Sequence, residues 1–490
     1  MSEERRPNIV LFMPDQLRAD AVGAFGNPVA RTPNMDALAG RGTVFAQAYA
    51  QHSVCSPSRV SIFTGWYPHV AGHRTLTHLI KPWEPNLFRL FKDGGYTVAL
   101  AGMRGDDFAA GVVDSFADLY GYEVKPTMVY QPSPYPPESK WASVFYSGKR
   151  NSDGPALDLD EAATRTAEAW LAAGIPEPWI LFIPLTFPHP PFEVEEPWFS
   201  QHDRKAMPKP VRASLDDKPR YMREIAALYG TDRLSDDDWA EVVATYYGMI
   251  SRVDDQLGRV LRAVERAGVA ERTVTALFTD HGEYMGDYGL IEKWSSGLHD
   301  CLLRNPLIIA APGRKQGNRS ESLVEMVDLL PTLLELAGIE AKHTHFGRSL
   351  VPLLDDGSLP HRDAVFSEGG FMPDESKLLE KKVPASYRNK IALQTEQPEL
   401  LGKAVCIRTE RWTYVHRLFE DDELYDRVAD PQETVNLVRE LPDVQRELRD
   451  RLLDWSIATA DAIPWEPDSR FDPRLFQVFL GDRPARQEKG

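Results

Sequence analysis

Residues 52–65 have the sequence His52-Ser53-Val54-Cys55-Ser56-Pro57-Ser58-Arg59-Val60-Ser61-Ile62-Phe63-Thr64-Gly65. This stretch predicts a loop that turns into a helix, because Pro57 suits the first helical turn and Gly65 suits the C-terminal cap. A helix that begins near Cys55 places Cys55 and Arg59 one turn apart on the same face. A nucleophile-sized side chain then lies at a helix N-terminus, where free N–H groups favour anions. The alternative for Cys55 is a small buried hydrophobic residue, a common fate of a free cysteine.

Around this stretch, short apolar runs alternate with segments of helical periodicity. We predict strands at residues 8–13, 97–101, 179–185, 273–279 and 307–311. We predict helices at residues 158–173, 237–267 and 323–337. Such alternation is typical of a mostly parallel sheet covered by helices. The predicted fold class is therefore α/β, with a large mostly parallel sheet sandwiched by helices.

Polar side chains follow four of the predicted strands, at the point where each strand ends. In chain order they are Asp15, Gln16, Arg104, His189, Asp280 and His281. Because ligands gather outside the carboxyl ends of strands in open α/β sheets, we expect these groups on one edge of the sheet. Oxygen ligands with an imidazole can hold a divalent metal ion. The alternative for Asp15 and Asp280 is that each caps a helix that follows its strand.

Length and charge narrow the class of protein. A chain of 490 residues exceeds the usual size of one hydrophobic core, so we expect two domains or one two-lobed body. The net charge of −17, with no long basic run, makes nucleic acid and anionic membrane poor partners. Three cysteines imply no disulfide framework. No segment has the pattern of a signal peptide or the length of a membrane span, so we expect a cytoplasmic protein.

The pattern Cys-x-Pro-x-Arg, formed by Cys55, Pro57 and Arg59, resembles the signature of the sulfatase family. The residues that continue the family's longer pattern are Ser61, Thr64 and Gly65. The resemblance implies that Cys55 is converted to formylglycine (3-oxoalanine), with a formylglycine-generating enzyme as a partner. In the family, the hydrated aldehyde attacks the sulfur of a sulfate ester and displaces an alcohol or phenol. Its second hydroxyl then loses a proton and expels sulfate, which restores the aldehyde.

The segments at the first and fourth strand ends resemble the metal-binding segments of the alkaline phosphatase superfamily, to which sulfatases belong. The resemblance implies one divalent metal ion, held by Asp15, Gln16, Asp280, His281 and the modified Cys55. Gln16 departs from the usual sulfatase pattern, which has a second aspartate there. The amide keeps an oxygen ligand but removes one negative charge. Calcium and manganese fit this set about equally.

Further residues of the chain match the family's contacts to the sulfate and to the leaving oxygen. Lys293 occupies the place of a lysine that contacts the sulfate, and His189 that of a histidine that reaches the leaving oxygen. Many sulfatases have a lysine where this chain has Met103-Arg104, so Arg104 is predicted to bind substrate, together with His73. These departures, with Gln16, bring the chain closer to phosphonate monoester hydrolases and choline-sulfatase-like members.

The resemblance covers about residues 7–440. It implies a catalytic sulfatase-like α/β domain at residues 1–362 and a smaller C-terminal α+β lobe at 363–490. Within the lobe, residues 403–409 and 411–416 have strand character. The tail at 463–490 is rich in Pro, Trp and Phe, and because such tails can pack on a neighbouring subunit we expect a homo-oligomer.

The predicted activity is that of an arylsulfatase-like sulfuric ester hydrolase, with Cys55, Arg59, His189 and Lys293 as catalytic residues. The nearest alternative is a hydrolase of phosphonate or phosphate monoesters or diesters that uses the same nucleophile. A second alternative is a non-catalytic binding protein that kept the fold. A third is a cysteine hydrolase in which His52 activates Cys55, although no third group to orient His52 is evident.

Overall fold

The apolar runs of the sequence form one large sheet in the computed structural model, which describes residues 6–102, 105–127, 133–152, 154–379 and 384–462. The strands of all the sheets in the described residues are, in chain order, β1 Asn8–Met13, β2 Thr43–Tyr49, β3 Thr97–Ala101, β4 Leu119–Gly121, β5 Tyr146–Lys149, β6 Trp179–Pro184, β7 Phe192–Val194, β8 Thr273–Phe278, β9 Arg304–Ala310, β10 Asn318–Glu325, β11 Ala364–Gly369, β12 Ala404–Thr409, β13 Trp412–Arg417 and β14 Glu423–Asp426. The α-helices are α1 Pro33–Arg41, α2 Cys55–Thr64, α3 Pro68–Ala71, α4 Leu87–Asp93, α5 Lys140–Ser143, α6 Leu159–Ala173, α7 Arg220–Tyr229, α8 Asp236–Arg266, α9 Asp300–Leu303, α10 Leu329–Ala337, α11 Val351–Asp355, α12 Arg388–Glu396 and α13 Pro442–Thr459.

Within the described residues, the large sheet has eight strands in the order β10-β2-β9-β8-β1-β6-β3-β4. Each of these strands is parallel to its neighbours except β9, which runs antiparallel to β2 and β8. The central strands β1, β6 and β8 consist entirely of buried residues, as expected of parallel strands covered on both faces. The predicted mostly parallel sheet is confirmed, and β1 and β3 have the predicted bounds.

Some elements of the sheet were not predictable from local pattern. The strand β4 has three residues, and the edge strand β10 mixes exposed polar with buried residues, so neither forms an apolar run. The predicted helix at 323–337 is wrong at its beginning. Residues up to Glu325 belong to β10, which pairs with β2, and α10 begins only at Leu329. A short apolar stretch such as Leu323-Val324 suits either a strand or a helix, and pairing with β2 decides it.

Two long helices cover the sheet as predicted. Helix α6 agrees with the prediction at 158–173, and α8 with that at 237–267, each to within one residue at either end. The side chain of Asp158 caps α6 by accepting the N–H of Glu161, and Ser235 caps α8 in a reciprocal pair with Asp238. The two helices pack on each other beside β6.

A smaller antiparallel sheet, in the order β11-β12-β13-β14, forms the C-terminal lobe together with α13. Leu448, Leu452 and Trp455 of α13 pack with Tyr414 and Leu424 of the sheet in a core of their own. This α+β lobe is the predicted one, and β12 and β13 correspond to the predicted strands. The division near residue 363 stays a prediction.

The lobe also shares the main core, because Leu400, Ala404 and Val415 are buried with side chains of the large sheet. The tail at 463–490 lies outside the described residues, so the homo-oligomer inferred from it stays a prediction. In the ranges that the structure describes, no helix combines the length and the apolar character that crossing a membrane requires.

Candidate active site

Helix α2 begins at Cys55, and all ten of its residues are buried. Gly65 adopts the left-handed conformation, with φ of 71°, and ends the helix as predicted. A Cβ atom at this position would lie 2.7 Å from Cβ of His345, so glycine is needed for close approach as well as for conformation. The predicted helix is confirmed, and Cys55 lies at its N-terminus.

Four buried side chains meet at this end of α2. Asp15, Cys55, Asp280 and His281 have potential ligand atoms that all lie within 4.8 Å of one another. Asp15 follows β1 and Asp280 follows β8, and because these strands are parallel neighbours their carboxyl ends deliver both carboxylates to one edge. Sγ of Cys55 lies 3.3 Å from Nε2 of His281 and 3.8 Å from Oδ1 of Asp15. The structure thus brings the two predicted metal segments together around Cys55.

Arg59 lies one turn below Cys55 and contacts three carboxylates. Its Nε is 2.7 Å from Oδ2 of Asp280, its Nη2 is 2.8 Å from Oδ2 of Asp15, and its Nη1 is 3.3 Å from Oδ1 of Asp107. Burial acts to raise the carboxyl pKa of Asp280, but the Arg59 guanidinium outweighs it and holds that pKa below its usual range. For Asp107, burial prevails and raises the pKa to about 6. Arg59 therefore keeps Asp280 ionised at the cluster.

His281 is held as a neutral imidazole. Its Nδ1 donates to the carbonyl oxygen of Gly282 at 2.9 Å, so Nε2 carries the lone pair and lies next to Cys55. Burial lowers the pKa of His281 to about 4. Two carboxylates and a neutral imidazole are a suitable donor set for Ca²⁺ or Mn²⁺, so the residues present fit a divalent metal ion.

Gln16 differs from the other predicted ligands because protein groups engage both ends of its amide. Its Oε1 accepts a hydrogen bond from Nζ of Lys293 at 2.6 Å, and its Nε2 donates to the carboxylate of Glu283. Its backbone has φ of 65°, and its N–H donates to Oδ1 of Asp280 at 3.1 Å. Gln16 thus links the metal cluster to Lys293, while its role as a ligand stays a prediction.

A row of charged groups continues from Lys293 to helix α12. Nζ of Lys293 lies 3.0 Å from Oε1 of Glu292, and the Glu292 carboxylate also accepts from Nζ of Lys390 on α12. Lys390 donates in addition to the carbonyl oxygen of Lys293 at 2.7 Å. Burial acts to lower the pKa of Lys293, but the charge of the Glu292 carboxylate raises it above its usual range. Lys293 is therefore a cation beside Cys55.

Cys55 itself has the environment of a protonated thiol. Burial raises the pKa of the Cys55 thiol, and Asp15 raises it further. Because the thiolate is the nucleophilic form, these surroundings oppose direct attack by the sulfur. His52 does not supply a base, since its Nδ1 accepts the N–H of Val54 at 3.0 Å and burial lowers its pKa to about 3. The contacts of the described residues give the cysteine-hydrolase alternative no support.

A cavity of about 250 Å³ lies beside Cys55. The charged and imidazole side chains that line it are Arg74, Asp106, His189, Glu292, Lys293 and Lys390. The predicted catalytic residues His189 and Lys293 thus share one cavity with Cys55. Nδ1 of His189 lies 2.7 Å from the carbonyl oxygen of Pro190 and donates to it.

One of the two predicted substrate-binding residues, His73, is not part of the lining of this cavity. Nδ1 of His73 lies 2.7 Å from the carbonyl oxygen of His78, and its Nε2 lies 3.1 Å from Oε1 of Glu84. The structure therefore places His73 in a buried polar contact away from the lining, which its neighbour Arg74 joins instead. Arg104 lies outside the described residues.

Three residues of the site were missed from the sequence. Asp107 comes a few residues after β3, and the strand-end rule that identified Asp15 applies to it as well. Lys390 lies on α12 and Tyr387 immediately precedes this helix, and both reach the cavity through folding alone. No local pattern marks them.

Comparison with known proteins agrees with this geometry. A family model described as Sulfatase matches residues 7–339. The multifunctional alkaline phosphatase superfamily protein PehA of Trinickia caryophylli is 27% identical, over 93% of this chain and 96% of that protein. An arylsulfatase of Clostridium perfringens is 25% identical, over 77% of this chain and 84% of its own. The crystal structure of a phosphonate monoester hydrolase of Agrobacterium radiobacter has a TM-score of 0.73 and 24% identity, and the match covers 94% of this chain and 100% of that one. The predicted fold class is confirmed.

Proposed function

The chain belongs to the sulfatase family, and on that premise we propose that it hydrolyses sulfate esters through a formylglycine made from Cys55, releasing sulfate and an alcohol or phenol. The enzyme class is that of the family, a sulfuric ester hydrolase. The observation that carries the proposal is the place of Cys55. It lies at the N-terminus of α2, within the Asp15–Asp280–His281 cluster and in the wall of the cavity.

We assign one divalent metal ion, Ca²⁺ or Mn²⁺, to Asp15, Asp280 and His281, with Gln16 and residue 55 as further ligands. The ion supplies positive charge against the oxygens of the ester. Formylglycine, as its hydrate, supplies a hydroxyl nucleophile where the protonated Cys55 thiol is a poor one. Making it requires a formylglycine-generating enzyme as a partner.

Side chains of the protein orient the metal ligands, bind the ester and protonate the leaving oxygen. Arg59 orients Asp15 and Asp280 and keeps Asp280 ionised for cation binding. Nζ of Lys293 binds anionic oxygens of the ester, where negative charge grows in the transition state. Because Nδ1 of His189 donates to a backbone carbonyl, Nε2 is the nitrogen that gives a proton to the leaving oxygen, and it does so when the ring is protonated on both nitrogens.

A second candidate activity is the hydrolysis of phosphonate or phosphate esters at the same site. The neutral amide of Gln16, in place of a carboxylate, favours phosphate monoesters among these, because they carry two negative charges and one fewer negative charge lies beside Lys293 and the bound ester. Similarity to PehA, a multifunctional protein of the alkaline phosphatase superfamily, also supports activity on more than one kind of substrate.

Turnover of matched esters tests the proposal. Protein carrying formylglycine is assayed with 4-nitrophenyl sulfate, a phenyl phosphonate monoester and a phosphodiester, with and without Ca²⁺ or Mn²⁺. We expect metal-dependent release of 4-nitrophenol, with the sulfate ester preferred. Preference for the phosphonate ester would support the second candidate.

The control compares two cysteine substitutions. Cys55→Ala removes the modified residue and is expected to abolish turnover of every ester. Cys301→Ala changes a half-buried cysteine outside the cavity lining and is expected to retain activity. Activity in Cys55→Ala equal to that of the parent protein would contradict the proposal.

A further inference from the structure

One face of the C-terminal lobe forms a wall of the active-site cavity. Tyr387, Lys390, Ile391 and Gln394 line the cavity at intervals of three, one and three residues, which is the spacing of one helical face. Tyr387 immediately precedes α12, and the other three lie on it. The lobe therefore shapes the space that a substrate occupies next to Cys55.

Much of this wall is apolar. Beyond Tyr387, the lobe adds five apolar side chains to the lining: Phe371, Leu378, Leu379, Pro384 and Ile391. An apolar surface suits the alcohol part of an ester rather than its anionic part. The cations Lys293 and Lys390 both contact Glu292, and the proposed function assigns Lys293 to the sulfate.

The hydroxyl of Tyr387 is unusual in this wall. It is shielded from solvent, and it has no hydrogen-bond partner among the residues that the structure describes. A buried hydroxyl without a hydrogen-bond partner is unfavourable, so an oxygen atom of a bound ligand is the best explanation for the position of this hydroxyl. The ring is fixed by Phe145, with ring centroids 4.9 Å apart, and it lies near His189 at 6.4 Å.

We propose that the Tyr387 hydroxyl donates a hydrogen bond to the leaving oxygen of the ester, and that the apolar wall around it holds a compact apolar alcohol part such as a phenol. This inference rests on the proposed function and extends it to the alcohol side of the substrate. As the bond between sulfur and the leaving oxygen breaks, the electron pair stays on that oxygen. The proton that neutralises the oxygen comes from His189, and Tyr387 keeps its own.

The surroundings of Tyr387 agree with a hydroxyl that donates without ionising. Burial raises the pKa of Tyr387 well above its usual range, and the charge of Glu292 raises it further. A hydroxyl that holds its proton stabilises the developing negative charge most when the leaving oxygen is strongly basic. The contribution of Tyr387 therefore depends on the acidity of the leaving phenol.

A series of aryl esters with leaving phenols of graded acidity tests the proposal, using the ester class that the parent protein hydrolyses. We expect Tyr387→Phe to lower kcat/KM about 10- to 100-fold for unsubstituted phenol, and less as the phenol becomes more acidic. The plot of rate against leaving-group pKa becomes steeper. An equal loss across the series, or no loss, would overturn the proposal.

Tyr229 of α7 provides a matched control. Its hydroxyl is also buried without a partner in the described chain, and its ring packs on the same Phe145 at 5.3 Å, but it is not part of the cavity lining. We expect Tyr229→Phe to leave the leaving-group dependence unchanged. A steeper plot in Tyr229→Phe as well would assign the effect to packing around Phe145 and would overturn the role of Tyr387.

Binding of a free phenol separates this inference from the proposed function, because it needs no turnover. Calorimetric titration with 4-nitrophenol is expected to give a severalfold weaker affinity in Tyr387→Phe than in the parent protein or in Tyr229→Phe. If the parent protein hydrolyses no ester but this difference is found, the proposed function fails and the alcohol site stands. Equal affinities in all three proteins would overturn the alcohol site even if the parent protein is an active sulfatase.

Discussion

Replacing Arg59 by methionine removes the charge that holds the site together. The guanidinium is completely buried and lies within 3.3 Å of three carboxylates, those of Asp15, Asp107 and Asp280. Methionine has a similar length and keeps most of the packing volume, so the main change is the loss of one positive charge and its hydrogen bonds. The variant leaves Asp15 and Asp280 without the guanidinium that contacts both of them.

The size of the effect follows from these distances. At about 3 Å and an effective dielectric constant of about 20, each contact contributes about 5 kcal/mol of attraction. Most of that offsets the cost of burying the charges, and breaking a buried ion pair by removing one partner typically costs about 3–5 kcal/mol. We therefore expect Arg59→Met to lower the free energy of unfolding by about 3–5 kcal/mol in the presence of a chelator.

Adding a divalent metal ion is expected to reduce this deficit, because the ion returns positive charge to Asp15 and Asp280. The assay is urea denaturation followed by tryptophan fluorescence, with chelator and then with excess Ca²⁺ or Mn²⁺. Arg252→Met is the control, since Arg252 is equally buried between Asp158 and Glu195, each 2.9 Å away, but lies outside the metal cluster.

The control variant is expected to show a similar deficit that metal does not change. A loss below about 1 kcal/mol in Arg59→Met would refute the reasoning, because a buried pair of this kind typically costs more. So would a deficit that metal reduces equally in both variants.

Two further predictions concern Lys390 and His202. In Lys390→Met, Lys293 alone neutralises Glu292 and is less available to the ester, so ester binding is expected to weaken about 10-fold. Adding Glu292→Gln to this variant is expected to restore most of kcat/KM. Purely additive losses in the double variant would contradict this coupling. Burial lowers the pKa of His202 to about 4, so its contribution to stability is complete above pH 6.5 and is lost as pH falls towards 4. This loss amounts to about 3 kcal/mol of the free energy of unfolding. Urea denaturation between pH 6.5 and 4 is expected to show that this free energy depends less on pH in His202→Gln than in the parent protein, because glutamine cannot become charged. An unchanged pH dependence would show that His202 is not the titrating group.

The parts of the fold that the sequence predicted are those with a local physical signal. β1 and β8 are buried on both faces, so they are mostly apolar, and Asp15 and Asp280 follow shortly after these strands end. Helix α2 has its own stop signal in Gly65. These three elements alone place the metal cluster next to Cys55.

Two of the parts that were missed depend on contacts distant in sequence. The side chain of Lys390 bonds to Glu292 across 98 positions of the chain, and nothing near either residue indicates the partner. Residues 323–325 are decided by pairing with β2 and not by their own periodicity. His73 was predicted at the site on proximity to α2, but Glu84 and the backbone of His78 hold its ring elsewhere.

The most direct test of the proposed chemistry is a mass spectrum of the tryptic peptide of residues 42–59, from protein made in its own host. We predict that Cys55 has lost its sulfur and carries an aldehyde, free or hydrated. An intact thiol at Cys55 in that protein would contradict the formylglycine mechanism, and the cluster of Asp15, Asp280 and His281 would then need another nucleophile.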